Sequence, residues 1–139
     1  MYKLTPNNQA VIKTDEQLII PMAPGNRHYE EYLIWVGEGN TPDPAFSPAE
    51  LLEIQKQELI QAIQDHMDTA AKAKGYDSIL SACSYASVVN TFQQEGIDFL
   101  TWRSACWTLG YSTLTDVENN VIPAPTVPEM IALLPAAPV

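Results

Sequence analysis

The sequence predicts an α+β chain that is mostly helical: a small N-terminal antiparallel sheet with a short helix, then a helical hairpin, then a proline-rich C-terminal arm. Three observations carry this. Short β-prone runs separated by turn residues crowd the stretch before Met22. Two long segments after Ser47 repeat apolar residues at three- and four-residue spacing. Prolines gather in a connector near Asp43 and again after Val121. The expected organisation is 1–40 as a β-rich unit, 41–46 as a connector, 47–120 as a helical module and 121–139 as the arm.

The elements follow in order. Tyr2 to Leu4 is a short extended start, stopped by Pro6-Asn7-Asn8. Ala10 to Thr14 is β-prone, Asp15-Glu16 is a turn, and Gln17 to Ile20 is a second strand that Pro21 and Pro24-Gly25 end. A lone hairpin is marginal in water, so this unit should lean on a helix or add itself to a partner's sheet edge. Asn26 can cap a helix to Val36, with Tyr29, Tyr32, Leu33 and Val36 on one face, Trp35 at its margin, and a stop at Gly37-Glu38-Gly39-Asn40. Thr41-Pro42-Asp43-Pro44 then favours an extended path and denies backbone donors.

Ser47-Pro48-Ala49-Glu50 is a capping box with proline at the first helical position. The helix it starts should run to about Lys74 and stop at Gly75. Leu52, Leu59, Ile63 and Ala70 fall in one arc, flanked by Ile60, Ala62, Met67 and Ala73. Its length of roughly 40 Å exceeds what a compact core of this size needs, so packing against another chain, or bridging two units, is expected. Asp77 or Ser78 can cap a helix over Ile79 to Ala86, broken by Ser87 to Asn90. Asn90 or Thr91 then starts a second long helix, ending near Asn119-Asn120, with Phe92, Phe99, Cys106 and Gly110 on one face and Trp102, Leu114 and Val117 close by. Gly96 and Gly110 each cost ~1 kcal/mol against Ala in a helix interior, so a neighbour approaches closely there or the helix bends. Thr126-Val127-Pro128-Glu129 is a further capping box, placing Met130, Ile131, Leu133 and Leu134 on a short helix whose apolar side suits a docking element.

Size and charge exclude several classes. At 139 residues, 46% apolar and 17% charged, the chain is long enough to bury a core without metal or disulfide staples. Lys and Arg number 7 against 17 Asp and Glu, a net charge of −10 that argues against nucleic acid and anionic membrane surfaces. No apolar run approaches the ~20 residues of a bilayer span. Met1 to Pro6 lacks the apolar core of a secretion signal, so synthesis and retention in a cytoplasm are expected.

Chemical motifs are sparse. No glycine-rich phosphate loop or nucleophile elbow is present. His66 beside Asp65 and Asp68 has no third and fourth metal ligand in sequence, and His28 is expected in the first turn of its helix, in water. Cys83 and Cys106 lie among apolar neighbours and are expected as buried thiols; no base stands near Cys106 to activate it. Glu30-Glu31 and Asp65/Asp68 fit solvated helix faces better than an acid–base pair. Phe99, Trp102 and Trp107 at helical spacing fit a core or interface better than a ligand cage. No catalytic residue, metal or other cofactor is therefore expected, and a small enzyme acting on cell-wall material is the minor alternative. Partner binding is assigned instead to Leu52, Leu59, Ile63, Met67, Trp102, Met130, Ile131 and Leu134.

Several stretches carry a resemblance. Ala73-Lys74-Gly75-Tyr76-Asp77-Ser78-Ile79, Ser81-Ala82-Cys83-Ser84-Tyr85-Ala86, Asn90-Thr91-Phe92-Gln93-Gln94-Glu95-Gly96 and Trp102-Arg103-Ser104-Ala105-Cys106-Trp107 resemble the C-terminal module of small bacteriophage and prophage tail fibre and tail fibre assembly proteins. The opening through Asn26, Tyr29, Tyr32-Leu33 and Gly37 to Pro44, and the closing Pro125 to Pro135, are similar to the same group. The resemblance implies a non-enzymatic structural component of the virion tail, attached to the fibre or baseplate and binding fibre subunits through a helix face and an edge strand. An assembly chaperone that leaves the virion is the alternative it allows, and homo-oligomerisation is compatible with both.

Overall fold

A computed structural model describes residues Met1–Val139, and the chain divides into two compact units, Met1–Leu51 and Leu52–Val139. The first unit opens with three short strands, β1 (Tyr2–Leu4), β2 (Ala10–Lys13) and β3 (Leu18–Pro21), antiparallel in the order β1-β2-β3. Lys3 faces Ile12, and Val11 faces Ile20. The connecting turns need left-handed backbone, which Asn8 (φ 53°) and Gln17 (φ 52°) supply. The Thr5 hydroxyl, donating to the Ala10 carbonyl at 2.7 Å, braces the first turn.

Helix α1 (Arg27–Gly37) begins at Asn26, whose side chain accepts the His28 amide. The unit's core is Tyr2, Val11, Ile20 and Tyr32, all buried. Tyr32 meets Tyr2 edge-on at 5.1 Å between ring centroids, and Trp35 lies 5.0 Å from Tyr2. The sheet thus does lean on an aromatic helix. The connector does more than the sequence indicated: Asp43, between two prolines, bridges to Lys3 in parallel, donating to the Tyr2 carbonyl and accepting from the Leu4 amide, both at 2.9 Å.

Helix α2 (Pro48–Ala73) starts on the Ser47/Glu50 box, with Ser47 N donating to Glu50 at 2.7 Å. Its first residues belong to the first unit and the remainder to the second. It ends at Gly75 (φ 94°), where the Tyr76 amide reaches back to the Ala71 carbonyl at 3.1 Å. Helix α3 (Ile79–Ser84) is capped by Ser78 and runs into a 3₁₀ turn, Tyr85–Ser87. Asp68 of α2 also accepts the Ile79 amide at 2.8 Å, so it ties two helices together; it is not simply part of a solvated face.

Helix α4 (Gln93–Glu118) starts three residues after Asn90, whose side chain accepts the Phe92 amide at 2.8 Å. It runs antiparallel to α2: Lys56 pairs with Glu118, Ile63 meets Gly110, and His66 meets Trp102. At both helical glycines the cause is a close neighbour. A Cβ on Gly96 would lie 2.7 Å from the Ala86 nitrogen and 2.9 Å from the Ala82 oxygen, while one on Gly110 would lie 2.8 Å from the end of Ile63.

After α4, the expected free arm is absent. Helix α5 (Val127–Leu133), with both halves of the Thr126/Glu129 box formed, lays Met130 and Leu134 into the same core as Leu59, Ile63, Met67, Ile79, Phe99, Trp102 and Cys106. The Trp102 indole donates to the Pro135 carbonyl at 2.8 Å, pinning the segment beyond it. The prolines stop helices here; they do not hold the segment away from the domain.

Candidate functional site

The residues assigned to partner binding from sequence are brought together, but around a different centre. Leu59, Ile63, Met67, Trp102, Met130 and Leu134 are buried against one another, and Ile131 packs on their edge. Their apolar surface is satisfied within the chain, so they are core residues. Leu52 is half-buried and lies outside that cluster. Of the arc expected on α2, Leu59, Ile63 and Met67 share a core with α4 and α5 and Ile60 and Ala70 pack at its edge, while Leu52 lies outside it and Ala73 is exposed.

What stays uncovered is elsewhere. From Leu100 to Thr115, α4 carries one charge, Arg103. Leu100, Thr101, Ala105, Thr108, Tyr111 and Ser112 are exposed along this stretch. A shallow groove of about 720 Å³ runs along Leu100, Thr101, Ser104, Ala105, Thr108, Leu109 and Ser112. The outer face of α2 is built oppositely: Glu53, Gln57, Gln61 and Asp65 are exposed and linked by i, i+4 hydrogen bonds, Gln57 to Glu53 at 2.9 Å and Gln61 to Asp65 at 2.8 Å. In the first unit, the outer edge of β3 receives no backbone hydrogen bond from beyond the sheet over Leu18 to Ile20, and Ile19 is 65% exposed there.

A second uncovered feature lies where α2, α3 and α4 meet. The stop at Gly75 turns Tyr76 towards α4, and the missing side chain of Gly96 lets the backbone of Ala82 to Ala86 rest on the first turn of α4. Tyr76, Tyr85 and Phe92 consequently form a row, with centroids 5.6 Å and 5.5 Å apart, and Phe99 stands behind Tyr76 at 5.9 Å. With Lys74, Gly75 and Glu95 they line a pocket of about 250 Å³. The Tyr76 hydroxyl oxygen is buried and has no hydrogen-bond partner. Burial, reinforced by the Glu95 carboxylate, pushes the Tyr76 phenol above its ordinary range. The carboxylate is near enough to be felt, yet no hydrogen bond of normal geometry joins the two. Sequence reasoning missed this row because its members come from a loop, a 3₁₀ turn and a helix start, which share no periodicity.

Burial pushes the Cys106 thiol up to about 11, and raises Cys83 against a smaller opposing influence of Arg103. Both thiols are thereby held away from the nucleophilic thiolate form. Half-buried His66 meets the edge of Trp102 at 5.8 Å. His28 and Glu31 sit on the exposed side of α1, with Arg27 3.1 Å from Glu31. No group of three or more His, Cys, Asp or Glu side chains is arranged to hold a metal ion, and no helix is long and apolar enough to cross a membrane.

Comparison with family models, curated proteins and solved structures finds no match to this chain.

Proposed function

We propose that this protein is a non-enzymatic structural component of a bacteriophage tail, held to the fibre or baseplate by contact with fibre subunits. The observation that carries the binding half of this reading is the charge-poor outer face of α4. A chain of net charge −10 leaves more than four helical turns with one basic residue and an exposed run of Leu, Thr, Ala and Tyr side chains. Such a face costs little to dehydrate on association, whereas the carboxylate-rich face of α2 costs much more. The free β3 edge offers backbone donors and acceptors to a fibre strand as a second contact. The tail setting rests on the resemblance of the Gly75 to Ser78, Asn90 to Gly96 and Trp102 to Trp107 stretches to phage tail fibre and fibre assembly proteins.

Two measurements test the reading. Mass spectrometry of purified particles should find the chain at a fixed ratio to the fibre protein. Absence from particles, with co-purification of immature fibre from lysates, would convert it into an assembly chaperone. Ala105→Glu with Thr108→Glu, both exposed, should leave the circular dichroism spectrum unchanged and weaken capture of the fibre protein at least tenfold. Unchanged capture would remove α4 as the contact face.

A further inference from the structure

We propose that the pocket between Tyr76, Tyr85, Phe92 and Glu95 receives an arginine side chain from a partner protein. The inference deepens the reading of this chain as a binder of other chains and does not depend on that partner being a phage fibre.

The pocket has what a guanidinium needs and lacks what most other ligands need. A planar, weakly hydrated cation stacks on aromatic faces and gives up its donors in a fixed fork. Tyr85 is 37% and Phe92 52% exposed, so each offers ring surface at the mouth of the pocket. An acceptor waits beside those rings. The Glu95 carboxylate makes no ion pair within the chain, while the Tyr76 oxygen behind it is closed to solvent. A guanidinium can stack on the rings and meet the carboxylate with a charged, two-pronged donor, whereas a neutral side chain leaves the carboxylate's charge uncompensated.

Charge points the same way. The net charge of −10 attracts a basic segment, and Val88 and Val89, at 63% and 92% exposure on the adjoining loop, offer apolar contact to the residues flanking the arginine. The chain's own cation at the rim, Lys74, is exposed and forms no ion pair with Glu95, so the carboxylate stays available. A lysine ammonium is the poorer match, being a compact, strongly hydrated charge that cannot meet a carboxylate in a planar fork and stacks less well.

The test uses the full chain, with its aromatic rings observed by NMR during titration with the blocked tripeptide Ala-Arg-Ala. Saturable shifts should be confined to Tyr76, Tyr85 and Phe92. The matched citrulline peptide, isosteric and neutral, should bind at least tenfold more weakly, and the lysine peptide several-fold more weakly. Glu95→Gln should lose about tenfold in affinity for the arginine peptide. Phe92→Leu, at an exposed site, should keep the fold and lose about threefold. Equal binding of the citrulline or lysine peptide, unchanged affinity of E95Q, or shifts elsewhere on the surface would overturn the proposal. So would binding that appears only after Lys74→Ala, which would mean that Lys74 occupies the site. Absence of the chain from phage particles leaves these outcomes untouched, so the two readings fail separately.

Discussion

The two units bury their cores by different routes. In the first, Tyr2, Val11, Ile20 and Tyr32 are gathered by turns and one helix from a short run of chain, and every strand pairs with its neighbour in sequence. In the second, Leu59 near the start of the unit and Leu134 near the end of the chain lie in one cluster, and Phe99 and Trp102 stand between them. The first core is closed by local geometry, the second by contacts that only the folded chain creates. Local closure needs few residues, and it leaves a small core in which two of the four buried residues are tyrosines. Long-range closure yields a larger core, at the cost of two close approaches to α4, one by backbone at Gly96 and one by the Ile63 side chain at Gly110.

The largest effect should separate the two cores. Phe99→Ala removes a fully buried ring and should destabilise the second unit by about 3–5 kcal/mol. Ile20→Ala removes a fully buried side chain of the first unit, with an expected loss of about 2–3 kcal/mol, because a small sheet can relax around the gap. Hydrogen exchange should locate each loss: in the α2–α5 amides for Phe99→Ala, in the β1–β3 amides for Ile20→Ala. Equal loosening of all amides by either variant would mean that the chain unfolds as one cooperative body, and the comparison would collapse.

A smaller effect compares the two close approaches of the second unit. Ala at either glycine gains about 1 kcal/mol of helix propensity. At Gly96 the new Cβ meets backbone, at 2.7 Å from the Ala86 nitrogen, and backbone cannot step aside. At Gly110 it meets the tip of Ile63 at 2.8 Å, which can rotate. Gly96→Ala should therefore cost about 2–3 kcal/mol net, Gly110→Ala about 1 kcal/mol or less. Denaturant midpoints in the reverse order would show that α3 and its 3₁₀ turn yield more readily than the Ile63 side chain.

These glycines also mark where sequence stops being legible. The caps were readable because each is a local exchange between neighbours: Asn26 with His28, Ser47 with Glu50, Ser78 with Ser81, Thr126 with Glu129. Periodicity placed Leu59, Ile63 and Met67 of α2 and Phe99, Trp102 and Cys106 of α4 on buried faces, but Phe92, expected on the same face as Phe99, stands before α4 and is 52% exposed. Periodicity could not say what covers those faces, because the covering residues Met130 and Leu134 sit in a proline-rich stretch that has the composition of an arm. The same gap turned core into expected interface at Leu59, Ile63, Met67, Trp102, Met130 and Leu134, since an apolar face is an interface or a core according to what returns to it. The Tyr76, Tyr85 and Phe92 row and the Asp43 bridge lay further out of reach, because each joins segments that share no period.

The smallest effect concerns pH and again contrasts the units. Hydrogen bonds from the cap residue, its backbone amide first and its hydroxyl second, hold the Glu50 and Glu129 carboxyls below their ordinary value of 4.5. A carboxyl depressed in the folded state binds fewer protons there than in the unfolded chain, so its stabilisation is complete above the ordinary value and fades as pH falls through the depressed one. Lys13 and Lys56 are raised above 10.5, chiefly by hydrogen bonds to Glu16 and Glu118 respectively, so their contributions persist through neutral pH and fade only in strong alkali. Stability attributable to these groups should thus be level from about pH 6 to about pH 9 and decline below about pH 4.5. The decline should matter more at Glu129. Glu50 caps one end of a 26-residue helix, whose first turn can fray without disturbing the buried Leu59. Glu129 caps a helix of 7 residues, and fraying one turn of it releases Met130 from the core. Between about pH 5 and about pH 3, Glu129→Gln should flatten the acid limb of the second unit's denaturation midpoint, while Glu50→Gln should leave that limb nearly as it was. Equal flattening by the two would mean that the end of α2 bears on the second core as heavily as α5 does.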